Sequence, residues 1–401
     1  MKAGWSLREI GEAFQTVTGN TPPKSAAHFY GQDIPLVKPP ELTDGDVSSA
    51  SDGLTESGAA VARVAPEGSV LVSCIGNLGK IGLATRPLAF NQQINAIYPD
   101  PSLALPRFTF YQALSPKFRE QLDALAAGTT VSIVNKSRFN SIKVHLPPLE
   151  EQQRIVAVLD EAFEGLARAR AHTKANLSDA EKIAAHALDV LLDELRLKNG
   201  QVQIIYFAEV KGGKRLPKGV KPSPKPTPFP YISVKDLTDD GSVCTEKVGY
   251  ISAEVQQTIQ RYTISSRDVY VSIAGTIGKT GIVPPELDGA NLTENAAKLV
   301  LREGWSPQYV YWCTRSSTFA VQTAEQTRTA AQPKLALQRL GAIHIPNANA
   351  SEQVEISEKM DALRHTRQSL ISAYSAKLQD LDDLRQSVLQ KAFAGELTKG
   401  I

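Results

Sequence analysis

A chain of 401 residues is too long for one ordinary core, so two or more globular units are expected. Its hydrophobic fraction of 42% can bury those cores, which excludes wholesale disorder, and its net charge of +2 does not by itself point to nucleic acid. No run approaches the roughly 18 apolar residues of a membrane helix, Met1 to Ile10 lacks the apolar core of a secretory signal, and three distant cysteines (Cys74, Cys244, Cys313) suit a reducing cytoplasm. An odd, scattered set of that kind gives neither a disulfide framework nor a zinc quartet.

In chain order, residues 1–149 read as a mixed α/β head with short strands. Ser69 to Ile75 is expected as a buried strand running into a glycine turn, and Phe108 to Leu125 as a helix. Residues 150–198 change character: they contain no proline and a single glycine, Gly165, with an apolar stripe through Ile155, Leu159, Leu166, Leu177, Leu188 and Leu195. Residues 199–345 return to the composition of a head, with Asp268 to Ile273 as the strand and Pro307 to Ala324 as the helix. Residues 346–401 hold a second long helix. Positions 356, 360, 363, 367, 370, 374, 377, 381, 384 and 388 form a heptad seam interrupted by Arg367 and Lys377, and Gly395 marks its end.

The second head repeats the first. Ser73-Cys-Ile-Gly-Asn-Leu-Gly-Lys80-Ile-Gly82 returns as Ser272-Ile-Ala-Gly-Thr-Ile-Gly-Lys279-Thr-Gly281, displaced by 199. Leu42-Thr-Asp44 matches Leu237-Thr-Asp239 at 195, Asn91 to Ala96 matches Asn291 to Ala296 at 200, and His145-Leu-Pro147 matches His344-Ile-Pro346 at 199. The order is therefore head, helix, head, helix. The expected fold is α+β, with two tandem mixed α/β domains separated by two long helices. Paired as an antiparallel coiled coil, those helices hold the heads at opposite ends about a pseudo-two-fold axis.

Charge follows the same division. Residues 1–149 carry 13 basic and 12 acidic side chains and residues 199–345 carry 17 and 12, whereas the two helical segments carry 7 and 10, and 7 and 8. Positive charge on the heads is what contact with backbone phosphate requires. Lys80 and Lys279 at the glycine-turn tips are phosphate-contact candidates. A Walker A loop needs a glycine where Cys74 and Ile273 stand, so these turns are not nucleotide loops, and the plain reading of their glycines is a tight turn with positive φ. The stretch Lys211 to Lys225, with Lys214, Arg215 and Lys218, reads either as a solvated loop or as one that orders on DNA, and Lys24 lies in its shorter counterpart.

Base-edge candidates are Asn91, Gln92, Gln93 and Asn95 in the first head, and Asn291, Thr293, Glu294 and Asn295 in the second. Asn and Gln pair bidentately with adenine, and Glu accepts from cytosine; the plain alternative is that the asparagines cap turns. Thr129 to Arg138, with Lys136 and Arg138, against Arg328 to Lys334 form a further divergent pair of loops. A shared scaffold with divergent polar loops is what two heads reading different sequences would show. No Asn-Pro-Pro-Tyr/Phe methylation motif, dinucleotide fingerprint, His-Glu-x-x-His pair or nuclease cluster occurs, so neither a catalytic site nor a cofactor is expected.

The stretch Leu146-Pro-Pro-Leu-Glu-Glu-Gln-Gln-Arg-Ile-Val-Ala-Val-Leu-Asp160 resembles the start of the central conserved helix in specificity subunits of Type I restriction–modification systems. Leu384-Arg-Gln-Ser-Val-Leu-Gln-Lys-Ala-Phe-Ala-Gly-Glu-Leu-Thr398 is similar to the end of their second one; the second helix opens on Pro346-Asn-Ala-Asn-Ala-Ser-Glu-Gln353 instead of the Pro-Pro-Leu-Glu-Glu-Gln pattern. The resemblance implies two target-recognition domains, each reading half of a bipartite, asymmetric double-stranded DNA site, with the helices setting the spacer. It also implies assembly with two modification subunits, which bring S-adenosylmethionine and methylate adenine, and with ATP-dependent restriction subunits. The rival from another class is a stand-alone nucleic-acid-binding regulatory module, which would not need long acidic helices with apolar residues such as Phe163 and Leu192 off the main seam.

Overall fold

The computed structural model describes residues 4–128, 131–327 and 333–397. The chain divides into two compact units, Met1–Lys174 with Ala376–Ile401, and Ala175–Ser375.

In the first unit a five-stranded sheet runs in the order Gln15–Thr18, Ile94–Tyr98, Val70–Ser73, Ile81–Ala84, Gly45–Val47. All its neighbours are antiparallel except the last pair. Val70–Ser73 is buried at every position, which suits its β-branched, apolar sequence to an inner strand. A four-stranded sheet holds Tyr30–Val37 parallel to Leu88–Phe90, and a two-stranded ribbon joins Ser6–Glu9 to Lys143–Leu146.

The second unit repeats this plan. Its four-stranded sheet runs Ala208–Gly212, Ala296–Leu301, Val269–Ser272, Thr280–Ile282, all antiparallel. Pro230–Ile232 lies parallel to Asn291–Leu292, and Gln201–Gln203 forms the ribbon with His344–Pro346.

The helices expected over Phe108 to Leu125 and Pro307 to Ala324 are each two. The first breaks between Pro106–Ala113 and Pro116–Ala124, because Pro116 cannot continue the preceding turn and Ser115 caps the next helix by accepting from the Phe118 N–H. The second breaks at Ser316, which caps through the Phe319 N–H.

The long helices run Leu149–Asn199 and Ala350–Phe393, and Gly395 closes the second in the left-handed region at φ 75°. Their ends are parts of the head cores. In the first unit Ile155 and Leu159 share a core with Phe108, Phe139, Leu389 and Phe393, and the Phe108 and Phe393 rings meet edge-on at 5.4 Å. Arg170 pairs with Asp382, and the Arg385 guanidinium lies 5.1 Å from the Phe163 ring, so these helix ends run antiparallel. In the second unit Leu188, Leu192 and Leu195 pack with Phe207, Tyr309, Ile356 and Met360. Two readings are corrected here. Leu192 and Phe163 are not surplus helix surface, since each packs into its own head core. Leu370 and Leu384, placed on the seam by periodicity, are exposed, while Leu389 and Ala392 are buried.

The strand registers also correct the repeat alignment. Val70 pairs with Ile97 and Val269 with Leu299, so the strand after the asparagine loop is displaced by 202, not 200. Asn91 therefore corresponds to Thr293, Gln92 to Glu294 and Gln93 to Asn295. Glu9 pairs with Lys143 and Gln203 with His344, which displaces the ribbon's second strand by 201 and sets His344 opposite Lys143 in the comparison, not His145.

Candidate nucleic-acid interface

Each unit gathers four loop segments at one end of its main sheet. In the first, the Gly19 and Asn20 N–H groups donate to the Ile94 and Phe90 carbonyls at 3.0 Å each, and the Cys74 N–H donates to Gln93 at 2.7 Å. The Gly76 N–H donates to the Ser132 carbonyl at 2.9 Å, which brings the segment before the Lys136–Asn140 helix beside the glycine turn. In the second, Gly213 and Lys214 donate to Ala296 and Leu292 at 3.0 and 2.9 Å, Ile273 donates to Asn295 at 2.8 Å, and Ala274 bridges to Lys334. Gly19 is required by close approach: a Cβ there would stand 2.2 Å from the Asn91 carbonyl oxygen, and one at Gly213 would stand 2.0 Å from that of Thr293.

The glycine turns are the same structure built twice. Ser73 Oγ donates to the Asn77 carbonyl at 2.6 Å and accepts from the Lys80 N–H at 2.9 Å, and Ser272 does the same with Thr276 and Lys279 at 2.5 and 2.8 Å. Gly76 and Gly275 both have φ 76°. Lys80 and Lys279 are half-buried. The Lys279 ammonium meets Asp239 at 2.8 Å and the Leu237 carbonyl at 3.2 Å, and that ammonium holds the Asp239 carboxyl below its usual range.

Lys24, Gln92, Lys136, Arg138, Lys214, Arg215, Lys218 and Lys334 are exposed. Asn91, Asn95, Asn291 and Thr293 are buried, and their side chains are engaged within the fold. Asn91 closes a turn by accepting from the Gln93 N–H at 3.1 Å and donating to the Gln93 side chain at 2.9 Å. Asn95 accepts from Thr18 at 2.6 Å, and Asn291 donates to the Ile259 carbonyl at 2.9 Å. Thr293 donates to Glu294 at 3.0 Å; Gln93, Glu294 and Asn295 are half-buried. Arg138 donates to the Leu125 carbonyl at 3.1 Å, tying down the end of a helix. Arg328 lies outside the described residues.

One pair recurs with altered chemistry. Thr21 donates to Gln92 at 3.1 Å in the first unit, and at the corresponding place the Arg215 guanidinium meets Glu294 at 2.5 Å in the second. Burial alone would raise the Glu294 carboxyl, but hydrogen bonds, that from Arg215 foremost, bring it below the usual range. The basic loop is also pinned: Ser223 and Tyr250 exchange backbone hydrogen bonds of 2.9 and 2.8 Å, and the Lys214 ammonium lies 5.7 Å from the Tyr262 ring.

Sequence reasoning missed Arg119, whose guanidinium lies against Gly79 beside a groove of about 390 Å³ next to Lys80 and Ser132. It also missed Gln152 and Gln353, which fasten each long helix to its head. Gln152 donates to the Leu103 and Pro147 carbonyls at 2.8 Å each and accepts from the Leu105 N–H at 2.9 Å. Gln353 repeats these bonds with Gly304, Ala348 and Ser306. The signal was the Glu-Gln pair that survives in the second helix although the surrounding motif does not.

The doubled plan has a counterpart among known families. The family described as Type I restriction modification DNA specificity domain matches residues 2–175 and again 201–379. The chain belongs to this family. A Type I specificity subunit is a DNA-recognition subunit and not itself an enzyme. Relatives include the Type I restriction enzyme HindI specificity subunit of Haemophilus influenzae, 30% identical over 168 residues that cover 40% of this chain and 36% of that one. The EcoBI specificity subunit of Escherichia coli is 23% identical over 91% of this chain and 80% of its own. Among solved structures, the HsdS subunit from Thermoanaerobacter tengcongensis matches over 99% of this chain and 98% of its own, with TM-score 0.64 and 19% identity. A chain from a study of complex assembly and conformational transition of the type I R-M system matches over 99% of both, with TM-score 0.77 and 19% identity. At that identity these two matches speak for the fold alone. No helix among the described residues is long and apolar enough to cross a membrane.

Proposed function

We propose that this specificity subunit recognises a bipartite, asymmetric site in double-stranded DNA, one half with each head, and so directs the partners that act there. Those partners are two modification subunits that methylate adenine and ATP-dependent restriction subunits. The observation that carries the reading is the loop pair Thr21–Gln92 against Arg215–Glu294: one backbone frame, held by matching hydrogen bonds, presents different donors and acceptors in the two heads. A duplicated frame with divergent polar tips fits two half-sites of unlike sequence. The exposed Lys24, Lys136, Arg138, Lys214, Lys218 and Lys334, and the half-buried Lys80, serve the phosphates in this reading. The long helices set the spacer between half-sites, and four residues inserted near Thr173, about one helical turn, lengthen it.

Base-modification sequencing tests this reading. DNA is taken from cells that co-express the chain with the modification subunit encoded beside it, and controls omit each protein in turn. Adenine methylation confined to one bipartite motif, and dependent on both proteins, is the expected result. No methylation from a complex that still co-purifies and binds DNA would favour a stand-alone binding module instead.

A further inference from the structure

A cleft of about 430 Å³ opens beside the basic loop of the second head. It is built, not left over. The backbone exchange between Ser223 and Tyr250 fixes the loop, and Gly249 has no side chain where a Cβ would stand 2.4 Å from Pro222. Pro222, Pro224, Tyr231 and Tyr250 give the cleft flat apolar surfaces, and Lys235 and Lys247 line it as exposed cations, with Glu246 beside them.

Asp236 also lines this cleft and is 1% exposed. Its Oδ2 accepts from the Ser233 N–H and Oγ at 2.7 Å each, but its Oδ1 has no hydrogen-bond partner among the described residues. The corresponding residue in the first head is Glu41, and both its oxygens are used: Oε2 by the Lys38 N–H at 3.0 Å and Oε1 by Ser51 at 2.8 Å. A buried acceptor without a donor is costly, and it marks where a ligand's N–H fits.

We propose that this cleft receives a nucleobase turned out of the DNA stack, whose exocyclic amine, N4 of cytosine or N6 of adenine, donates to Asp236 Oδ1. Flat rings and prolines suit the faces of a base, and Lys235 and Lys247 suit its flanking phosphates. The same lysines disfavour a cationic side chain from a protein partner. The cleft is continuous with the candidate interface, because the Tyr231 hydroxyl donates at 3.0 Å to the carbonyl of Lys214, the neighbour of Arg215. The inference rests on the DNA-recognition reading and adds to it a site present in one head.

The test is calorimetric titration of the full chain with dCMP and dAMP, each against its amine-free counterpart, dUMP and 2′-deoxyinosine monophosphate. At least one amine-bearing nucleotide is expected to bind about tenfold more tightly than its counterpart. Asp236→Asn keeps an oxygen for Ser233 but turns an NH₂ toward the cleft, so it abolishes that preference. Tyr250→Ala weakens both members of a pair alike. Equal affinity within both pairs, no binding of any of the four, or a preference that survives Asp236→Asn overturns the proposal. So does a lowered unfolding temperature in Asp236→Asn with the nucleotide preference intact, which would make Asp236 a loop cap only. Fluorescence anisotropy with a duplex carrying the mapped methylation motif separates the two levels. If that duplex does not bind, the recognition reading fails; if it binds and the nucleotides are not discriminated, only the cleft does.

Discussion

Gln152 and Gln353, 201 residues apart, make the same three hydrogen bonds to the same three positions of their respective heads. Both are buried. Each takes one backbone N–H and two carbonyls that would otherwise be unmatched where the chain turns from head to helix. Gln152→Ala is expected to cost about 3 kcal/mol, since buried backbone groups lose their partners. Hydrogen exchange by mass spectrometry should find faster exchange around Leu105 in that variant and around Ser306 in Gln353→Ala. Unchanged exchange at both places would remove the anchoring role.

Gly19 and Gly213 let two loops cross in van der Waals contact. Alanine at either forces the loops apart, because the new Cβ meets a carbonyl oxygen at 2.2 or 2.0 Å. The expected destabilisation is about 1–3 kcal/mol, as for other overpacked sites. On the bipartite reading, Gly19→Ala relaxes recognition in one half of the methylated motif and Gly213→Ala in the other. Methylome sequencing of the two variants decides it: loss at the same half-site from both would count against one head per half.

Glu294→Gln removes the partner of Arg215 and turns the second head's pair toward the Gln92 chemistry of the first. Discrimination at one base pair of a single half-site is expected to change by about 1–3 kcal/mol, roughly five- to 150-fold, with the other half untouched. Competition binding against single-base variants of the motif measures it. An unaltered preference at every position would place Glu294 outside base recognition.

Glu352 has a carboxyl held down to about 2 by Lys198 foremost, then by the Asn349 N–H and Asn199. The folded group binds its proton more weakly than the unfolded one, whose ordinary value is 4.5. Its contribution to stability is therefore complete above about 4.5 and lost as pH falls toward about 2. Urea midpoints of the wild type and Glu352→Gln should differ at pH 7 and converge only as pH falls from about 4.5 toward about 2. A gap that stays constant with pH would mean the ion pair contributes nothing.

Much of this architecture was legible because chemistry and spacing coincide. Ser73 and Ser272 stand 199 residues apart and bond the same turn atoms, so the glycine motif kept both its letters and its register. The asparagines misled for the opposite reason. Asn91 closes a turn while Asn291 sits two residues earlier in the equivalent frame and secures the Ile259 carbonyl, so identical letters served unlike needs. Heptad spacing could not say what an apolar stripe faces, and Leu192 proved to face a head and Leu384 solvent. In the candidate interface, the exposed cations were readable from composition. The pairing of Arg215 with Glu294 was not, because residues 79 positions apart meet only through the fold.

The first unit is assembled from both ends of the described chain, whereas the second is one continuous stretch, Ala175–Ser375. On the ribosome the first head therefore emerges early yet stays unfinished. The core around Phe108 waits for Leu389, Ala392 and Phe393, and exposes the surface they will cover until those residues have been made. The second head can close before then. Order of manufacture and order of maturation are thus reversed, and a chain cut short after Ser375 holds one sound head and one that cannot complete its interior.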